Sequence, residues 1–237
     1  MHISQESPLT ARQAKAGLKR GGVTIVVGAG AMGRMHVDLA FSYAPRAIVV
    51  ADFAEDRLAL VNKLFGARAA KSGVQLRTVS VGSEQLDKVI GEMTAWHGAD
   101  DVIIAVGSKK AIESAQSLVG RGAVLNLFGG LKKGEDIVGL DAGIVHYKEI
   151  NVTGSSGGSP WDVEQVLSLI ATKKIDAGAH ITRVGDLEHA IEFLEMVKAQ
   201  KIDGKAVVYP HRRTQQILEV PSWSAQDEIS YLEGGNA

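Results

Sequence analysis

The chain has 237 residues, a formal net charge of −1, 45% apolar and 22% charged residues, and no cysteine. That balance argues against a nucleic-acid or membrane-surface partner, and the missing thiols exclude disulfides and thiolate-bound metals. No apolar run reaches the ~18 residues of a membrane span, and the polar start lacks a signal-peptide core, so a cytoplasmic location is expected.

Residues 9–18, after Ser7-Pro8, are predicted as a helix within an N-terminal helix and linker over 1–22. Residues 23–27 (Val-Thr-Ile-Val-Val) read as a strand, 31–43 as its helix, and 47–51 as a second strand ending at Asp52. Between the first strand and its helix lies Gly28-Ala29-Gly30-Ala31-Met32-Gly33. In this context each part of a GxGxxG turn has a physical task. Gly28 permits the tight turn, Gly30 lets backbone approach a pyrophosphate, and Gly33 lets the helix lie close on the strand. The helix N-terminus offers N–H groups and a positive dipole end. Asp52 would accept from ribose hydroxyls and repel a 2′-phosphate, which favours NAD over NADP. A glycine-rich turn in an α/β domain without a cofactor has the same local signature.

Further along, residues 56–65 are predicted as a helix ending at Gly66, 74–79 as the third strand and 84–96 as an amphipathic helix. Residues 101–106 form the fourth strand, Ser108 caps a helix through Val119, and 123–128 form the fifth strand. An irregular crossover over 129–139 leads to a sixth strand at 150–154, and Ser159-Pro160 starts another helix. Residues 187–199 form one more helix, 205–209 a short strand without an obvious partner in the sheet, and the rest a polar tail. The class is α/β, a Rossmann doubly wound parallel six-stranded sheet in the order 3-2-1-4-5-6, with the crevice near strands one and four. The expected domains are 1–22, a nucleotide-binding domain over 23–204, and a C-terminal strand and tail over 205–237.

The segments VTIVVGAGAMG, VVAD, DDVIIAVG, AVLNLFGG, EINVTGS, KKIDAGAHITRVGDLEHAIEFL and DGKAVVYP, in this order over residues 15–210, resemble the nucleotide-binding half of the medium-chain, zinc-dependent alcohol and polyol dehydrogenases. The NVTGSSGGSPWD and FGGLKKGEDI segments are most similar to the sugar-phosphate and polyol reductase branch, sorbose-1-phosphate reductase among them. The resemblance implies that Gly28, Gly30 and Gly33 form the cofactor turn, with Ala31 and Met32 contributing N–H groups near the pyrophosphate. It implies Asp52 as the ribose acceptor and Arg57 as a basic group near the adenosine; an ordinary solvated arginine paired with Glu55 or Asp56 is the alternative for Arg57. Ala105, Val106 and Gly107 would pack on adenine and ribose. Leu127, Phe128 and Gly129 would meet the nicotinamide carboxamide, with 153–155 completing that wall.

Complete members of the family carry a β-rich catalytic domain ahead of this fold, whose Cys, His and Glu residues hold a catalytic zinc. Only about 22 residues precede the first strand here, fewer than the ~50 of a small domain. An N-terminally truncated form without the zinc-binding catalytic domain is therefore expected, and its catalytic residues are unassigned. The seven histidines, His2, His36, His97, His146, His180, His189 and His211, include no i, i+4 pair, so no metal ligands are assigned. The implied function is the NAD(H)-binding portion of an oxidoreductase acting on a secondary alcohol, polyol or sugar phosphate. The alternative is a catalytically inactive NAD-binding or subunit-interaction module. The resemblance also implies a homodimer joined through sixth-strand edges, and an exposed apolar face where a catalytic domain would pack. Lys109, Lys110, Lys132 and Lys133 follow strands four and five, and are either contacts for an anionic substrate group or solubilising charge.

Overall fold

In the computed structural model, the apolar runs of the first 174 residues become the strands of one parallel sheet. The structure describes residues 18–154 and 156–233 throughout, and the backbone of 3–6 and 13–16. The chain divides into two compact units, Met1–Lys174 and Ile175–Ala237.

The first unit opens with β1 (Ile3–Glu6) and β2 (Gln13–Ala16), an antiparallel pair with Ile3 opposite Ala16. This corrects the helix expected over 9–18. Residues 13–16 satisfy their backbone across a strand pair that local propensity does not reveal, and 9–12 and 17 lie outside the described residues. The remaining elements alternate: β3 (Val23–Val27), α1 (Ala31–Ala40), β4 (Ala47–Asp52), α2 (Glu55–Ser72), β5 (Gln75–Ser80), α3 (Leu86–Met93), β6 (Ala99–Ile104), α4 (Lys109–Ala115), β7 (Val119–Leu127), α5 (Ala142–Tyr147), β8 (Asn151–Gly154) and α6 (Pro160–Ala171). The sheet order is β5-β4-β3-β6-β7-β8, and every neighbouring pair is parallel. That is the expected doubly wound order, with its switch point between β3 and β6.

Alternation along the strands divides the core between two faces. Ile25, Val49, Val102, Ile104 and Leu125 pack with Ile90 of α3 and Ile112 of α4 on one face. Val26, Ile48, Val50 and Ile103 pack with Val37 of α1 and Leu58, Val61 and Phe65 of α2 on the other. Full burial of each such side chain contributes roughly 1.5–3 kcal/mol relative to exposure.

Two helices differ from expectation. Helix α2 does not stop at Gly66 but runs to Ser72, because its buried stripe Leu58, Val61, Phe65 and Ala69 continues past the glycine. It ends at Gly73, whose φ of 70° lets its N–H turn back to the Ala69 and Ala70 carbonyls. Helix α5 was not foreseen; its Asp141 carboxylate caps it by accepting from the Ile144 N–H at 3.1 Å. Ser159 caps α6 and Pro160 opens it, as expected, and Asp162 completes a capping box that was not foreseen.

The second unit contains β9 (Ile181–Asp186), α7 (Ala190–Lys198), β10 (Lys205–Tyr209), β11 (Leu218–Glu219) and α8 (Ala225–Glu233). Its sheet order is β10-β9-β11, with β10 parallel and β11 antiparallel to β9. The strand at 205–209 thus has a partner in a separate sheet, and residues 175–204, expected with the nucleotide domain, pack with it. The predicted polar tail is likewise structured through Glu233; residues 234–237 lie outside the described residues. Buried Asp186 accepts from the N–H groups of Glu188 at 3.0 Å and Thr214 at 2.9 Å. The Trp223 indole donates to the Tyr209 hydroxyl at 2.9 Å, and that hydroxyl donates to Glu228 at 2.7 Å. Burial, reinforced by Glu228, pushes the Tyr209 hydroxyl up to about 12. Among the described residues no helix is long and apolar enough to cross a membrane.

Candidate functional site

The carboxyl ends of β3, β4 and β6 surround a cleft of about 510 Å³. Gly28, Asp52, Arg57 and Val106 line it, so four of the residues singled out from sequence meet in one place. Gly28 has φ 106°, and its N–H donates to the Ala51 carbonyl at 2.7 Å. A Cβ at Gly28 would run into Val106, and one at Gly33 into the Gly28 carbonyl oxygen. Gly30 is different: it heads α1 with φ −65°, and a Cβ there would meet open space.

The Asp52 carboxylate accepts from the Ala29 N–H at 2.7 Å through Oδ2 and from the Ala54 N–H at 2.9 Å through Oδ1. Each carboxylate oxygen can accept more than one hydrogen bond, so both retain acceptor capacity toward the cleft. Arg57, in the first turn of α2, is half-buried, and neither Glu55 nor Asp56 pairs with it among the described residues. The amino end of α1 has no side-chain cap, which leaves its first-turn N–H groups suited to an anion.

Beyond β6 and β7 the backbone is drawn tightly together. A Cβ at Gly107 would strike the Gly130 carbonyl oxygen, and one at Gly129 the Val106 carbonyl group. The Phe128 and Gly129 N–H groups both donate to the Ile104 carbonyl, at 3.2 and 2.8 Å. Ala105, Gly107, Leu127, Phe128 and Gly129 therefore form the neighbouring strand ends rather than the lining of the 510 Å³ cleft. The ring of His36 meets Phe128 edge-on at 4.4 Å, and burial lowers the His36 pKa from 6.5 to about 4.

Sequence reasoning missed Phe53, Val81, Ser108 and Ala111, which also line the cleft. Phe53 is 77% exposed, a large apolar ring presented at the cleft rather than packed in the core. The position following an acidic strand end was the available signal. An adjoining hollow of about 140 Å³ shares Phe53 and Val81 and adds Leu86, Leu118 and Lys110. Of the four lysines considered, Lys110 alone lines either cleft; Lys109 lies 3.8 Å from Glu113 in an exposed pair of the kind that contributes at most about 1 kcal/mol.

The turn fits a dinucleotide: it has open space at Gly30, an uncapped helix end and an acceptor at the next strand end. A zinc ion does not fit in the same way. The chain has no cysteine, and no group of three or more His, Asp or Glu side chains is placed to hold a metal among the described residues.

Comparison with known proteins agrees with this geometry. Residues 31–172 match the model of the zinc-binding dehydrogenase family. Mannitol-1-phosphate 5-dehydrogenase of Aliivibrio fischeri is 32% identical over 215 residues, covering 89% of this chain and 51% of that protein. L-sorbose 1-phosphate reductase of Klebsiella pneumoniae is 25% identical over 179 residues, covering 74% and 43%, a weaker match to the branch suggested by sequence. The alcohol dehydrogenase of Aeropyrum pernix shares the fold, with a TM-score of 0.64 at 21% identity over 81% of this chain and 51% of that one. The chain spans about half the length of the curated relatives it matches. It belongs to the zinc-binding dehydrogenase family and corresponds to the nucleotide-binding portion of these relatives.

Proposed function

We propose that this chain binds NAD(H) and is the cofactor-holding part of an oxidoreductase acting on a polyol or sugar phosphate in the cytoplasm. The observation that carries the reading is the conjunction at one sheet switch point of the open Gly30, the uncapped amino end of α1 and the Asp52 carboxylate. Gly28, Gly30 and Gly33 shape the turn, and Ala31 and Met32 carry the pyrophosphate against the helix end. Asp52 accepts from the adenosine ribose and excludes a 2′-phosphate, while Arg57 flanks the same ribose. Phe53 and Val106 provide apolar surface for the adenine. Ala105 and Gly107 close that side, and Leu127, Phe128 and Gly129 bound the nicotinamide end. The bound nicotinamide supplies hydride transfer at C4; the residues named here bind and orient it. The substrate class follows from the names of the relatives, a mannitol-1-phosphate dehydrogenase and a sorbose-1-phosphate reductase.

Calorimetric titration of the chain with NADH and NADPH tests the cofactor reading. Micromolar NADH affinity that is lost with NADPH is expected. Asp52→Asn, which keeps an acceptor oxygen but removes the charge, should narrow the gap between the two. Absence of NADH binding would overturn the proposal. Turnover of mannitol 1-phosphate with NAD would distinguish a working enzyme from a binding module.

A further inference from the structure

Arg34 follows Gly33 directly, yet its side chain is turned inward and is only 2% exposed. A guanidinium is buried only where it is paired and hydrogen-bonded, so its partners are informative. Its Nη1 donates to the carbonyl of Ala29 at 3.0 Å. Ala29, the middle residue of the first Gly-x-Gly, also donates its N–H to Asp52 at 2.7 Å.

These two bonds act on different peptide planes. The Ala29 N–H belongs to the peptide joining Gly28 to Ala29, and the Ala29 carbonyl to the peptide joining Ala29 to Gly30. Both dihedrals of Ala29 are thereby fixed. A trans peptide directs its C=O and N–H to opposite sides. By holding the Ala29 carbonyl inward, Arg34 turns the Gly30 N–H outward, at the residue where the structure leaves open space. One helical turn later the buried Asp38 is paired with the Arg68 guanidinium, which lies over the Phe41 ring and donates to the Lys174 carbonyl at 2.6 Å. Asp38 and Arg68 thus tie α1 to α2 one turn beyond Arg34.

We propose that Arg34 is a positioning residue for the glycine turn, presenting the Gly30 N–H and the amino end of α1 to a pyrophosphate-bearing ligand. The proposal deepens the dinucleotide reading and rests on it. It separates the phosphate end of the site, which depends on the turn, from the adenosine end formed by Phe53, Asp52 and Arg57.

The test compares Arg34→Met and Arg34→Lys with the parent chain. NADH affinity is measured by calorimetry, adenosine affinity by NMR titration, and Ala29 amide hydrogen exchange without ligand. Arg34→Met should weaken NADH at least about tenfold, leave adenosine within about twofold, and accelerate Ala29 exchange while β4 amides keep their protection. Arg34→Lys, which retains a donor for the same carbonyl, should recover most of the NADH affinity. Equal losses for NADH and adenosine would assign Arg34 a general structural role and overturn the proposal, as would unchanged NADH affinity or unchanged Ala29 exchange. Failure of the parent chain to bind NADH would instead overturn the dinucleotide reading, and the exchange measurement would still decide whether Arg34 braces the turn.

Discussion

Gly30 and Gly33, three residues apart, have opposite sensitivities to a methyl group. At Gly33 the new Cβ meets a backbone oxygen that cannot move without opening the turn. Gly33→Ala should therefore lose both NADH binding and several degrees of melting temperature. At Gly30 the Cβ enters open space with an ordinary φ, so the cost to the fold should be only the weaker N-cap, about 1 kcal/mol or less. Any phosphate approaching that space would meet the methyl group, and NADH affinity should fall by about 100-fold or more. A Gly30→Ala chain that binds NADH normally would show that the open space is not the pyrophosphate site. His36 gives a residue-scale prediction of pH dependence. Its folded pKa of about 4 lies below the unfolded 6.5, so the unfolded state binds more protons between these values. Stability is complete above pH 6.5 and declines as the pH falls toward 4, by about 2–3 kcal/mol from this group. Urea unfolding across that range should show a shallower pH slope for His36→Gln; parallel profiles would mean that the imidazole is not held neutral by burial.

At the level of elements, Gly66 makes a stabilising substitution available. It lies inside α2, and a Cβ there meets nothing, so Gly66→Ala should raise stability by about 0.8–1 kcal/mol. For a chain of this size that corresponds to a melting increase of about 2–4 °C, readable by calorimetry. The same glycine explains a limit of the sequence. As punctuation it signals a helix end, and only the continued burial of Phe65 and Ala69 overrides that signal. The six-stranded sheet was legible because Val23–Val27 and Ala47–Asp52 are nearly continuous apolar runs, and Ala99–Ile104 ends in the apolar run Val102, Ile103 and Ile104, all separated by helical periods. Strands β1, β2, β9 and β11 were not, since short strands are defined by their partners rather than by their own pattern, whether that partner is close in the chain, as for β1 and β2, or distant, as for β9 and β11. The site divides in the same way. The glycine turn and Asp52 announce themselves locally, whereas Phe53, Val81 and Ala111 become neighbours only when β4, β5 and α4 reach the same edge of the sheet.

At the scale of the whole molecule, the question is what covers the last sheet edge. One side of β8 is hydrogen-bonded to β7, and no strand occupies its other side among the described residues. We infer that a second copy pairs there. Four residues of strand do not provide the ~1,000 Å² of buried surface that a specific interface needs, so apolar area must come from elsewhere in the unit. Helix α6 follows β8 in the first unit and exposes Val163, Val166 and Leu167, at i, i+3 and i+4 on one face. Apolar side chains so grouped are more consistent with an interface than with a solvated helix face. Sedimentation equilibrium at micromolar concentration should give twice the chain mass. Combining Asn151→Lys at the strand with Leu167→Glu on the helix should produce a monomer, because each substitution puts a charge into the surface that the partner copy would desolvate. Neither residue lines the cleft, so NADH affinity should be retained. A parent chain that remains monomeric at 100 times that concentration would leave the β8 edge and the α6 face without a partner copy and overturn the dimer.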